Sequence, residues 1–213
     1  MECLPCGSMS HKANDLSPTQ TTRGFTVWSV RSELPFGWTK ETIADRCESA
    51  LRHLNISQRK LNQSQLAVLF RPTTEFTGGN LNAHAAAQDL GDKVYRIVVY
   101  TDTWKTKDWC EDEVLLTLAH ELVHIAQYMA GRLSLNTYSR GLKESYIAPQ
   151  ELYRAKVKRV SYYHADVSWM KRPSEKEAEC RKFDVVQKAW GMKTRDFTEH
   201  ELFMRVVPMT IVG

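Results

Sequence analysis

Two histidines four residues apart with a glutamate beside the first, His120-Glu121-Leu122-Val123-His124, form the most chemically loaded segment of the chain. On a helix of about 3.6 residues per turn this spacing sets both imidazoles on one face, where a single small cation can bridge them. Neutral imidazoles leave zinc with enough positive charge to lower the pKa of a bound water to about 7. Glu121 lies at the edge of the same face, placed to act as a general base toward that water without occupying the metal. The chemistry encoded is metal-assisted hydrolysis, with Zn2+ as the expected cofactor. The segment sits in a strongly apolar run that includes Val114, Leu115, Leu118, Leu122 and Ile125. Polar groups buried in such a run need partners, and coordination supplies them.

A catalytic zinc usually takes three protein ligands and keeps a fourth place open. The metzincin arrangement would need Gly at 127 and His at 130, where this chain has Gln127 and Ala130. Acidic candidates stand in Arg172-Pro173-Ser174-Glu175-Lys176-Glu177-Ala178-Glu179, and Glu177, 53 residues after His124, is the expected third ligand. Glu175 and Glu179 are the neighbouring alternatives; Glu179 points about 200° away from Glu177 on a helix, so those two cannot both serve. Glu177 also reads as the closing residue of a capping box begun by Ser174. His164, in Tyr162-Tyr163-His164, is a rival ligand or a polariser of a substrate carbonyl, and the phenols of Tyr162 and Tyr163 are candidates for an oxyanion. Gln127 continues the histidine face by one turn, placed to orient a ligand. Asp184 reads as a holder of a histidine N–H or a solvated acid, and His84 as a satisfied strand residue. Cys3-x-x-Cys6 with His11 is half a zinc knuckle with no second pair.

These side chains require a scaffold, and hydrophobic periodicity supplies one. Phe25 to Arg31 reads as a strand, followed by an amphipathic helix from Lys40 to Leu54 with Thr39 as its N-cap. Ser64 to Phe70 and Lys93 to Thr101 read as strands, with Leu81 to Ala87 pairing antiparallel to the latter through the turn at Leu90-Gly91-Asp92. The central helix runs from about Asp112 to Gly131. Gln150 to Arg159 and Ser174 to Trp190 read as further helices, and Val206 to Gly213 as a short strand or packed tail. The expected fold class is α+β: a small mixed or antiparallel sheet on the helix bearing the histidines, and a later helix bearing the third ligand. Residues 1–21, rich in Ser, Pro, Asn and Gly, read as a flexible arm before a single domain over residues 22–213.

Composition narrows the function classes. With 42% hydrophobic and 25% charged residues and a net charge of +4, the chain has the profile of a globular protein and no concentrated basic patch, so nucleic acid is not indicated. No apolar stretch reaches membrane-spanning length, so no membrane partner is expected. Five scattered cysteines fit reduced thiols and a cytoplasmic location. Protein or peptide is the expected substrate, while the oligomeric state is left open.

Thr117-Leu-Ala-His-Glu-Leu-Val-His-Ile-Ala-Gln127 together with Arg172-Pro-Ser-Glu-Lys-Glu-Ala178 resembles the small gluzincin zinc metallopeptidases, including phage-type members whose downstream element reads Pro-x-Glu-x-Glu-Ala. The resemblance covers roughly residues 94 to 190. It implies zinc on His120, His124 and Glu177, water activation by Glu121, and an edge strand along the cleft, to which Lys93 to Thr101 is matched. The order of elements is also similar to that of the SprT-like group, which acts on DNA-bound proteins and uses a histidine as third ligand; only His164 could serve here. Thermolysin-like enzymes place an Asp that orients a histidine four residues after the ligand glutamate, where this chain, counted from Glu177, has Arg181. A protein that keeps such a fold for zinc-stabilised binding, without turnover, is the alternative of another class.

Overall fold

The computed structural model describes residues 16–72, 84–102, 110–154 and 156–192. The Cys3, Cys6 and His11 knuckle and the Val206 to Gly213 tail lie outside them.

Strands β1 (Leu16–Gln20), β2 (Thr26–Val30), β3 (Gln65–Arg71), β4 (Ala85–Asp89) and β5 (Val94–Tyr100) form a mixed sheet in the order β1-β2-β3-β5-β4. β2, β3 and β5 run parallel, while the outer strands β1 and β4 each pair antiparallel with their neighbour. Alternation along these strands gives the sheet one fully covered face, where Val27, Leu66, Val68, Phe70, Ile97 and Val99 are buried. That face packs under α1 (Lys40–His53) and α3 (Glu111–Met129); α2 (Gln58–Asn62) is a short turn of helix before β3. α1 begins where expected, with the Thr39 hydroxyl accepting from the Thr42 N–H. α3 ends in the expected left-handed Gly131, φ 70°, after which the Arg132 N–H returns to the Gln127 carbonyl.

A second, antiparallel sheet follows α3: β6 (Leu133–Tyr138), β7 (Gly141–Ile147) and β8 (Arg159–Tyr163). α4 (Pro173–Asp184) then packs against α3, continues as a π-helical turn over Val185–Ala189 and stops at Gly191, φ 65°. The architecture is mixed α and β with two sheets, in agreement with the expected α+β class. Among the described residues no helix is long and apolar enough to cross a membrane. Cys47, Cys110 and Cys180 are free thiols, and burial pushes that of Cys47 up to about 12.

Three expectations need correction. The arm assigned to residues 1–21 does not extend that far, because Leu16 to Gln20 is strand β1; an outermost strand tolerates Pro18, whose missing N–H would break a central ladder. The helix expected over Gln150 to Arg159 is a short 3-10 turn, Pro149–Tyr153, and then strand β8, because Arg159 to Tyr163 completes the ladder of β7. Lys93 to Thr101 is not the sheet edge. β5 lies between β3 and β4, and β4 is the outer strand.

Candidate metal centre

A cleft of about 790 Å3 opens between α3, strand β4, the second sheet and the N-terminal turns of α4. His120, Glu121 and His124 project into it from α3, all three buried. Ala85, Ala86 and Ala87 of β4 line one wall; Leu135 of β6 and Trp169 also line the cleft. The indole of Trp169 stacks on the His120 ring at 6.1 Å between centroids.

Glu175, and not Glu177, is the carboxylate brought to the histidines. Its Oε2 lies 3.1 Å from His120 Nε2 and 3.2 Å from His124 Nε2, and the two Nε2 atoms are 3.1 Å apart. Three ligands about 2.0–2.1 Å from a tetrahedral zinc would be separated by about 3.3 Å, so the triangle has the dimensions of a metal site already closed around its centre. Among the described residues His120, His124 and Glu175 are the one group of His, Cys, Asp and Glu side chains with this convergence.

The protons of the site can be placed from its hydrogen bonds. His120 Nδ1 lies 2.9 Å from Glu179 Oε1, an acceptor only, so Nδ1 is a donor and, in the neutral imidazole a metal requires, Nε2 carries the lone pair. For His124, the partner of Nδ1 is Gln127 Oε1 at 2.9 Å. That amide cannot turn over, because its NH2 donates to the Ser174 carbonyl at 3.1 Å and to Glu177 at 3.0 Å. His124 therefore also donates through Nδ1 and presents Nε2 as an acceptor. With both imidazoles neutral, three acceptors face one another within 3.2 Å and repel unless positive charge, a proton or a metal cation, sits among them. The residues thus fit a divalent cation.

The same demand shows in the acid–base behaviour of the bare protein. Burial opposes a charged His120, yet the Glu175 and Glu179 carboxylates outweigh it and raise the pKa of His120 to about 10. Burial likewise works against His124, which Glu175 nevertheless raises. Burial pushes Glu175 up, but both imidazoles overcome it and hold its carboxyl far below the usual range; Glu179, on similar grounds, stands at about 2. Glu121 differs. Burial raises it, only partly offset by the two histidines and the Ala87 backbone N–H.

Glu177 is spent elsewhere. It forms a two-pronged ion pair with Arg132, 2.8 Å on each side, and also accepts from the Tyr146 hydroxyl at 2.6 Å and from Gln127. The physical reason for the correction is helix phase. Arg172 is the N-cap and Pro173 the first residue of α4, which turns Glu175, Ala178 and Glu179 toward α3 and Glu177 toward the second sheet. The buried Ala178 permits the close approach expected of it. The capping-box reading lapses too, since Ser174 lies inside the helix and its hydroxyl donates to Glu144. Counted from Glu175, the residue four further on is Glu179, which holds His120.

His164 does not join the histidines. Its Nε2 donates to Glu144 Oε2 at 2.9 Å, so the histidine that a SprT-like ligand set requires, just after β8, is held by a carboxylate of β7. Tyr162 also donates to Glu144. Tyr163 is turned to the other side of its strand, packed with Tyr138 and beneath Arg140 and Lys143, and takes no part. Asp184 does hold a histidine N–H, but that of His53 on α1, at 2.6 Å. Sequence reasoning missed Arg132, Glu144 and Tyr146, isolated residues in a segment where no strand was expected. The i, i+4 spacing of Glu175 and Glu179 with Ala178 between them was a signal that could have been read.

Gln127 is wholly buried and is the link between His124 and the Arg132–Glu177 pair. Replacing it by methionine removes the acceptor for His124 Nδ1 at nearly constant volume. Zinc affinity is expected to fall by about 10–100-fold, as for other lost supporting partners, measured by competition with a chromophoric chelator. Unchanged affinity would show that packing alone orients the ring.

Comparison of the chain with protein-family profiles, with curated proteins and with solved structures returned no match.

Proposed function

We propose that this chain is a zinc-dependent metallopeptidase, with His120, His124 and Glu175 as ligands and Glu121 as general base. The observation that carries the reading is the convergence of His120 Nε2, His124 Nε2 and Glu175 Oε2 within 3.2 Å in a cleft, with the buried Glu121 carboxylate of raised pKa beside them. His120, His124 and Glu175 would hold the zinc, which when bound would supply Lewis acidity and lower the pKa of a water to about 7. Glu121 accepts the proton released as the peptide carbonyl is attacked, and delivers it to the departing amine. β4, the outer strand, offers its backbone to an extended peptide along the cleft, with small alanine side chains that leave room for it. His164, whose Nε2–H is held by Glu144, lines the same cleft. Glu175 and Glu179, one turn apart on α4, divide the supporting work: one binds the metal and the other fixes His120.

The test has a binding arm and a turnover arm. Glu175→Gln is expected to weaken zinc by more than the roughly 100-fold that loss of a supporting partner can cost. Peptide-library digestion is expected to give products with the zinc-loaded protein and none after chelation. Tight zinc binding without any cleavage would mark a catalytically silent, zinc-stabilised protein instead. Unaltered zinc affinity in Glu175→Gln would remove the ligand set itself.

A further inference from the structure

We infer that Arg172 is the docking point for a carboxylate group of the substrate, an inference that rests on the peptidase reading of this cleft. The cleft lining holds two cationic side chains, Lys182 and Arg172. Lys182 is neutralised by Glu179 at 2.7 Å. Arg172 has no carboxylate partner among the described residues. Its guanidinium donates through Nε to the Val167 carbonyl and through Nη2 to the His164 carbonyl, both at 3.2 Å. These two bonds fix the plane of the group and leave Nη1 uncommitted.

Glu144, another acid of the lining, is already engaged by donors from Tyr162, Ser174 and His164. Arg172 is also the N-cap of α4, at the positive end of a helix, where a cation is unfavourable and an anion is attracted. A permanently charged, half-buried fork held rigid at an unfavourable position, facing a cleft, is completed by an arriving anion. Planar carboxylate matches it. Arg172 precedes the ligand Glu175 by three residues, about one helical turn, so the docked group lies close to the scissile bond. Two carboxylates meet that description: an acidic side chain near the bond, and the C-terminus of a short peptide.

The experiment takes a peptide cleaved by the zinc-loaded chain and varies the peptide before the protein. Glu is exchanged for Gln within two residues of the bond in one arm, and the free C-terminus for its amide in the other. One arm is expected to lose about 10–100-fold in kcat/KM, the range of a hydrogen bond to a charged group, and so to identify the source of the carboxylate. In Arg172→Gln that ratio should collapse toward one, and in Arg172→Lys, which keeps the charge without the fork, it should fall between. The same peptide pairs, titrated by calorimetry into zinc-loaded Glu121→Gln protein with and without Arg172→Gln, give a readout free of turnover. No preference in either arm overturns the inference, as does a preference that survives in Arg172→Gln. Absence of chelator-sensitive cleavage of every peptide would instead strike the peptidase reading, and the calorimetric arm would still decide whether Arg172 binds carboxylate.

Discussion

Glu121→Gln is expected to bind zinc as tightly as the unaltered chain while cleaving peptides about 100- to 10,000-fold more slowly, the contribution typical of a positioned general base. Glu121 shares a helix face with His120 and His124 but stands outside the triangle that they form with Glu175, so its charge is not needed for coordination. The substitution keeps the shape of the side chain and can still accept from the Ala87 N–H. What it removes is the capacity to take a proton. Initial rates on a cleaved peptide, together with metal content by elemental analysis, separate the two effects. Cleavage within tenfold of the unaltered protein would assign the base to another residue, and loss of zinc would make Glu121 a ligand.

Arg132→Met is expected to lower the unfolding free energy of the metal-free protein by about 3–5 kcal/mol near pH 7, the cost of stranding one partner of a buried ion pair. Arg132 is 5% exposed and the side chain of Glu177 9%, so water cannot replace the lost guanidinium. Burial pushes Glu177 up, but Arg132 and Tyr146 outweigh it and hold its carboxyl below the ordinary carboxylate value. A lowered folded pKa contributes stability that is complete above the unfolded value of about 4.3 and is lost as pH falls through the folded one. The difference between the two proteins should therefore be largest at neutral pH and shrink below about pH 5, as the stranded carboxyl takes up a proton. Urea unfolding at pH 7.5 and pH 4 measures it. Adding Glu177→Leu should recover much of the loss, because two apolar groups need no pairing. A change below 1 kcal/mol at pH 7.5 would show that Tyr146 and Gln127 alone satisfy Glu177.

The elements carrying strong periodicity were legible in the sequence: α1 with its Thr39 cap, the β4–β5 hairpin, and the helix bearing the histidines, down to its Gly131 terminus. The second sheet was not, because its strands carry Leu135, Tyr138, Leu142 and Val160 exposed among polar residues, which blurs the two-residue alternation. That miss propagated to the site. Without β7 there was no Glu144 to claim His164, and no Tyr146 to join Arg132 in claiming Glu177. The choice among Glu175, Glu177 and Glu179 then hung on the phase of one helix. A start at Pro173 in place of Ser174 turns the face by about 100°, and both faces of this helix carry acids that find buried partners.

The position of the second sheet along the chain has a further consequence. His124 and Glu175 are 51 residues apart, and Leu133 to Tyr163, the whole of that sheet, lies between them. A cation joining α3 to α4 is thus a clasp at the neck of a long excursion, worth on the order of 3 kcal/mol in loop-closure entropy for a chain of that length. The Arg132–Glu177 pair closes the same neck a few residues away. The core under α1 and α3 also takes in Ala178, Phe183, Val185 and Val186 from α4 and its π-helical turn, so apolar packing holds the body together beside both clasps. Metal release would therefore loosen the excursion ahead of the body, and with it the wall of the cleft opposite β4. Holding the metal and keeping the cleft two-sided become one property.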